Sequence, residues 1–273
     1  ARPGPVEAAT VDHGLRAESA SEASHVAKIC ADLGIPHRII AVEVGEGNMH
    51  DAARRARYRA LAAWAHEMGL AAVATAHHAD DQAETLLMRL NRASGLRGLA
   101  SIRAQHKAAY DGASVTVVRP LLHWRKAELE RLVAEAGLQA ITDPSNADPR
   151  FDRARVRAGL AASDWLDPAA IARSAANLAD AEVALNWAVD REWASAVTES
   201  DGAYMYSNSG TPDVVVQALI ERFIARVGGS SPRGSEVAAL AERLRDGGRA
   251  TLGGAVVEVA NGIWTVRPET GRR

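Results

Sequence analysis

Residues 76–90, AHHADDQAETLLMRL, put two histidines, two aspartates and a glutamate within eight positions at the start of an apolar helical run. On a helix, Asp80 and Glu84 are four apart and Asp81 and Glu84 three apart, so each pair shares a face. Three chemistries suit the cluster. Asp81 as N-cap with Glu84 three residues on resembles a capping box, and acidic groups favour the positive end of a helix dipole. A carboxylate such as Asp80 suits Mg²⁺, which takes one or two carboxylates together with phosphate oxygens. An acidic pair also holds a cationic substrate. A zinc site fits less well, because its helical motif wants histidines at i,i+4, and His77 and His78 are adjacent and precede the helix.

Three further clusters carry ionisable groups. VDHGLR (11–16) contains His13 and Arg16 at a strand end, where the alternative is a solvated turn. AARRARYRAL (52–61) carries Arg54 and Arg57 on one helix face and Arg55 and Arg59 on another, so only one or two can point toward a ligand. DPSNADPRFDRARVR (143–157) gathers Arg150, Arg153, Arg155 and Arg157 against Asp152 as local countercharge. Arginines at such a junction suit phosphate contacts or salt bridges between domains.

The elements that must position these groups alternate. Residues 7–14 read as a strand running into a turn. Residues 17–34 read as a helix with capping-box spacing at Ser19 and Glu22 and a closing Gly34. Residues 37–44 form a β-branched strand, 50–69 a strong helix, 70–75 a short apolar strand, 80–95 a helix, 114–120 a strand and 125–137 a helix. Strands and helices alternating at this spacing imply parallel βαβ units with helices on both sheet faces. Ligands gather at the carboxyl ends of such strands, where residues 11–16 and 76–84 stand. A polar loop at 141–151 follows. A long helical pattern spans 168–197, with further helices near 211–227 and 234–246. Two β-rich runs, 249–259 and 263–268, flank Asn261-Gly262, a hairpin signal. The reading is a Rossmann-like α/β domain over 1–160 and a small helical domain with a terminal hairpin over 161–273.

Composition sets the bounds. The chain has 273 residues, 47% hydrophobic and 24% charged, as in globular proteins. Aromatics are only 4%, so Ala, Leu and Val build the core. A net charge of −2 does not advertise nucleic-acid binding, which must come from local clusters. One cysteine, Cys30, excludes a disulfide framework or a cysteine-based metal site within one chain. No apolar run spans a membrane, and a reducing cytoplasm is the expected setting.

Taken together, VDHGLRAES, AARRARYRAL, AHHADDQAETLLMRLNRASGLRGLA, VRPLL and ITDPSNADPRFDRARVR resemble the tRNA(Ile)-lysidine synthetases, in that family's order and near its spacing, over about residues 8–157. These enzymes are PP-loop ATP pyrophosphatases with a Rossmann-like core. The resemblance implies that ATP adenylates the C2 oxygen of the wobble cytidine in a CAU-anticodon tRNA(Ile). The ε-amine of L-lysine then attacks C2 and expels AMP. It further implies lysine binding by Asp81, Glu84 and Arg57, and proton transfer or nucleotide contact by His77 or His78. It places Asp80 on a metal or phosphate, and His13 and Arg16 near the adenylate or target base. Arg119, Arg150, Arg153, Arg155 and Arg157 would contact the tRNA backbone. The implied requirements are ATP and Mg²⁺. The oligomeric state is left open, with a homodimer as one arrangement.

The sequence departs from the family in one large respect. The Ser-Gly-Gly-x-Asp-Ser phosphate loop should precede the VDHGLR strand by one helix, and no Ser-Gly-Gly occurs upstream of Val11. The expectation is that roughly 25–30 residues, about one βα unit, stand before Ala1, and that the sheet lacks its first strand. Ala154 stands where the family often has Asn, and longer members carry an additional C-terminal domain. Two other readings stay open: a catalytically inactive tRNA-binding fragment, and a different PP-loop tRNA-modifying enzyme.

Overall fold

The structure is a computed structural model and describes residues 6–14, 17–45, 49–110, 113–141, 148–208, 210–230 and 232–269. The chain divides into two compact units. The first comprises Ala1–Asp81 and Arg103–Ala154, the second Gln82–Ile102 and Arg155–Arg273. This differs from a single division near residue 160, because the segment 82–102 leaves the first unit and returns to it.

In the first unit, β1 (Ala8–Asp12) pairs in parallel with β2 (His37–Ala41) across α1 (Ser19–Asp32). A second sheet has the order β3-β5-β4. Here β3 (Ala72–Ala74) runs parallel to β5 (Ala113–Val118), and β4 (Gln105–Tyr110) runs antiparallel to it. Helix α2 (Met49–Glu67) packs on β1 and on all three strands of the second sheet. Its buried Tyr58, Leu61, Ala62 and Ala65 recur at helical spacing and meet Val73, Val115 and Val117. The second edges of β1 and of β3 are paired by no strand among the described residues. Helix α5 (Lys126–Glu135) closes the unit, and α3 (Ala79–Leu90) and α6 (Asp152–Ala162) each begin in it and end in the second.

Strand β4 is absent from the sequence reading. QHKAAY has no β-branched residue, and only its antiparallel partner makes it a strand. The α1 start is also corrected. Ser19 is the first helical residue, Glu18 occupies the cap position, and no side chain caps the helix.

The second unit is more than helices with a hairpin. It holds a five-stranded antiparallel sheet in the order β6-β7-β10-β9-β8. The strands are β6 (Val197–Ser200), β7 (Ala203–Ser207), β8 (Gly248–Leu252), β9 (Ala255–Ala260) and β10 (Ile263–Pro268). The Asn261-Gly262 turn joins β9 to β10 with both residues at positive φ, 51° and 75°. The short helix α4 (Leu96–Leu99) packs on α7 (Pro168–Ala196). Helices α8 (Asp213–Gly228) and α9 (Gly234–Arg243) complete the unit. The fully buried Leu219, Ile220, Phe223 and Ile224 of α8 meet Tyr206, Val257 and Val266 of the sheet. The rings of Trp193, Tyr204 and Phe223 lie with centres 4.9 to 5.4 Å apart, Tyr204 and Phe223 stacked and Trp193 tilted against both. No described helix is long and apolar enough to cross a membrane.

Candidate active site

The carboxyl edge of the first unit's parallel strands collects its ionisable side chains, as open α/β sheets do. Where β1 ends, Asp12 Oδ1 accepts the Gly14 N–H at 2.9 Å, and Gly14 takes φ +60°, which makes the turn that displays His13. Hydrogen bonds from Gly14 and Ser19 hold the Asp12 carboxyl below its ordinary range. Arg57 of α2 donates to His13 Nε2 at 3.3 and 3.2 Å. An accepting Nε2 puts the ring proton on Nδ1, which is buried without a partner among the described residues. Burial, then the Arg57 charge, lowers the His13 pKa, so the ring is neutral at pH 7. Arg16 lies outside the described residues.

Beyond β3, His77 and His78 occupy different fields. Thr75 Oγ1 lies 3.0 Å from His77 Nδ1. Burial first, then the charge of Arg119, pulls His77 down to about 4; Asp81 opposes this, and Arg54 and Arg153 add to it. His78 faces carboxylates instead. Its Nε2 lies 3.4 Å from Asp81 Oδ2 and its Nδ1 3.7 Å from Asp80 Oδ2. Asp81 Oδ2 also accepts the His78 backbone N–H at 3.0 Å, and His78 Nδ1 faces the Asp81 N–H at 3.4 Å. This is the reciprocal arrangement of a capping box, with His78 in the cap position and Asp81 third in α3. The cap therefore sits three residues earlier than the sequence reading places it.

Asp80 has a different task. Its carboxylate accepts from Arg125 Nε and Nη2 at 3.0 to 3.3 Å and from the Lys126 backbone N–H at 2.7 Å. Burial works against its ionisation, but these donors outweigh it and its pKa falls. Asp80 thus holds the start of α5. A carboxylate already shared by a guanidinium and a helix N–H does not fit the magnesium role assigned to it. Among the described residues, no group of three or more His, Cys, Asp and Glu side chains is placed to hold a metal ion.

Arg119 is corrected too. It is 5% exposed, so its guanidinium cannot lie along a tRNA backbone. Its Nη1 donates to Arg103 O at 2.7 Å and to His106 Nδ1 at 3.1 Å. Arg150 is exposed and forks onto Asp148 at 2.6 to 3.1 Å. Arg153 and Arg155 are exposed, one on each side of the point where α6 passes between units.

In the second unit, Glu84 is 1% exposed and accepts from Arg157 Nε at 2.7 Å and Nη2 at 3.2 Å. The pair joins two residues to which the sequence reading gives separate partners, lysine and tRNA. The sequence reading misses His106, because it lies on the unrecognised β4, and Arg125, because its partner is 45 positions away.

Residues 3–163 match the PP-loop domain, more than half of the chain. The chain is 47% identical over 257 residues to a tRNA(Ile)-lysidine synthase of Novosphingobium aromaticivorans, covering 94% of this chain and 78% of the relative. It is 39% identical to that of Zymomonas mobilis, covering 91% and 76%. Among solved structures it is similar to the U34-tRNA thiolase NcsA from Methanococcus maripaludis with its [4Fe-4S] cluster, at TM-score 0.49 and 18% identity over 62% of this chain and 60% of that one. The protein is thus a PP-loop protein, and within that class it belongs to the tRNA(Ile)-lysidine synthase family.

Proposed function

We propose that this protein uses ATP and L-lysine to convert the wobble cytidine of CAU-anticodon tRNA(Ile) to lysidine. The cytidine C2 oxygen attacks the α-phosphate of ATP and releases pyrophosphate. The lysine ε-amine then forms a bond to C2, the C2–O bond to AMP breaks, and the amine gives up its protons. The observation that carries this reading is the acidic and histidine-bearing edge at residues 77–81 in a chain of this family.

The residues suit the chemistry. A lysine ε-ammonium binds carboxylates but attacks only after losing a proton. We assign lysine to Asp81 and Arg57 of the first unit. Glu84 lies in the second unit, buried and held by two donors from Arg157. Proton transfer falls to His78, whose ring lies against Asp81 and Asp80. His77, set among cations, is suited to donate a hydrogen bond rather than to take a proton. His13 is assigned to the adenylate or the target base, and Arg150, Arg153, Arg155 and Arg157 to tRNA phosphates. Mg²⁺ would enter with the ATP phosphates, and no residue of the chain is assigned to it.

The test is ATP-dependent incorporation of labelled lysine into a CAU-anticodon tRNA(Ile) transcript. Charge reversal, Asp81→Lys, should raise the KM for lysine at least about tenfold, an effect of ~1.4 kcal/mol, or abolish turnover. An unchanged KM removes Asp81 from the lysine pocket. Tight tRNA binding with no incorporation by the natural protein would favour the inactive tRNA-binding reading.

A further inference from the structure

Among the described residues of the first unit, Arg119 is the one cation that is both buried and without a carboxylate partner. It lies just past the end of β5, 5% exposed, and its only partners among the described residues are a backbone carbonyl and an imidazole nitrogen. Its Nε is buried with no hydrogen-bond partner among the described residues. A guanidinium in that position without a carboxylate carries a desolvation cost that an anion would offset.

The neighbours point the same way. His106 accepts from Arg119 through Nδ1, so its proton sits on Nε2, which has no partner among the described residues. His106 is half-buried, which leaves that N–H in reach of a small ligand. The charges that act on His106 are those of Arg119 and Arg54, with no carboxylate among them. Arg54 is exposed, with its guanidinium 4.9 Å from the Tyr58 ring centre. His77 feels the same two arginines. Registry explains the convergence. His106 pairs with Val117 two residues before Arg119, and His77 follows β3, which runs parallel to β5. All of them therefore gather at the carboxyl edge.

We propose that Arg119, His106, Arg54 and His77 form a binding site for a phosphate-class oxyanion within the first unit. Arg54 and the His106 Nε2–H meet the anion. Arg119 is a positioning residue: it orients His106, keeps the proton on Nε2 and supplies buried positive charge. The same oxyanion chemistry is offered by pyrophosphate, the product of adenylation, and by a phosphodiester of the RNA strand. This deepens the proposed function, yet its test does not depend on turnover.

The experiment is histidine NMR of the full chain, titrated with inorganic pyrophosphate or with a five-nucleotide RNA, against chloride at equal ionic strength. A bound anion stabilises imidazolium, so His77 should rise from about 4 toward its ordinary value and His106 should rise with it. Both effects should vanish in Arg54→Ala, a surface change that leaves the fold intact, and in Arg119→Met. A response to pyrophosphate alone identifies the leaving group as the occupant, and a response to RNA alone identifies the backbone. No response to either ligand overturns the site. So does an equal response in Arg54→Ala and Arg119→Met. If lysine incorporation proceeds while no anion shifts either ring, this inference fails and the proposed function stands.

Discussion

The two units treat buried charge in opposite ways. In the second, Arg157 meets Glu84 in a bidentate pair, and the surrounding unit rests on a core of fully buried Leu219, Ile220, Phe223, Val257 and Val266. In the first, Arg119 is buried with no carboxylate, over a smaller core in which Ala62 and Ala65 stand beside Tyr58, Trp64 and Val117. The difference assigns labour. The second unit is held by packing, and its buried carboxylate is compensated. The first leaves charge uncompensated at the edge where ligands collect, which is where a sequence specifying one fold breaks its own rules.

The largest effect should come from the second unit's core. Phe223 is 0% exposed and contacts Trp193 and Tyr204 at 4.9 and 5.4 Å. Phe223→Ala should cost about 3–5 kcal/mol. Urea unfolding measures it, and hydrogen exchange tells which unit opens. If the first unit's amides lose protection as much as the second's, the two are not independent bodies and the contrast drawn between them is wrong.

The paired charge gives the next effect. Arg157→Ala leaves Glu84, 1% exposed, as a buried carboxylate with its guanidinium removed. That should cost about 3–5 kcal/mol at neutral pH. Replacing both partners, Glu84→Leu with Arg157→Leu, should recover most of the loss, because an apolar pair of similar volume carries no desolvation cost. A double variant no more stable than Arg157→Ala would mean that the pair is held for shape rather than charge.

How far the sequence could show this follows from range. The Asn261-Gly262 hairpin was legible because two adjacent residues determine it. The alternation of β1, α1, β2, α2, β3 and α3 was legible because hydrophobic period is local. Asp201-Gly202 carried the same turn signal, with φ values of 51° and 73°, but the polar VTES before it has no sustained apolar alternation to mark a strand. The partners of Glu84 and Asp80 lie 73 and 45 positions away, and no spacing rule reaches them. The edge residues 77–81 could be singled out from their types, while their surroundings needed distant neighbours: carboxylates beside His78, arginines around His77, a helix start at Asp80.

The smallest expected effect tests that last distinction, between adjacent histidines in opposite fields. His77 has a folded pKa of about 4, depressed from 6.5 by burial and by Arg119. Between those values the unfolded chain binds a proton that the folded chain refuses. Stability therefore falls as pH drops from about 6.5 and stops responding to this group below about 4. His77→Gln removes that part of the slope and keeps a polar side chain beside Thr75. Urea midpoints measured from pH 4 to 7 should thus fall less steeply in His77→Gln than in the natural protein, with the slopes differing most near about pH 5 and converging toward neutral pH. Equal slopes would mean that His77 titrates normally, and the cationic field assigned to this edge of the first unit would be too weak to hold a ring neutral or to call an anion in.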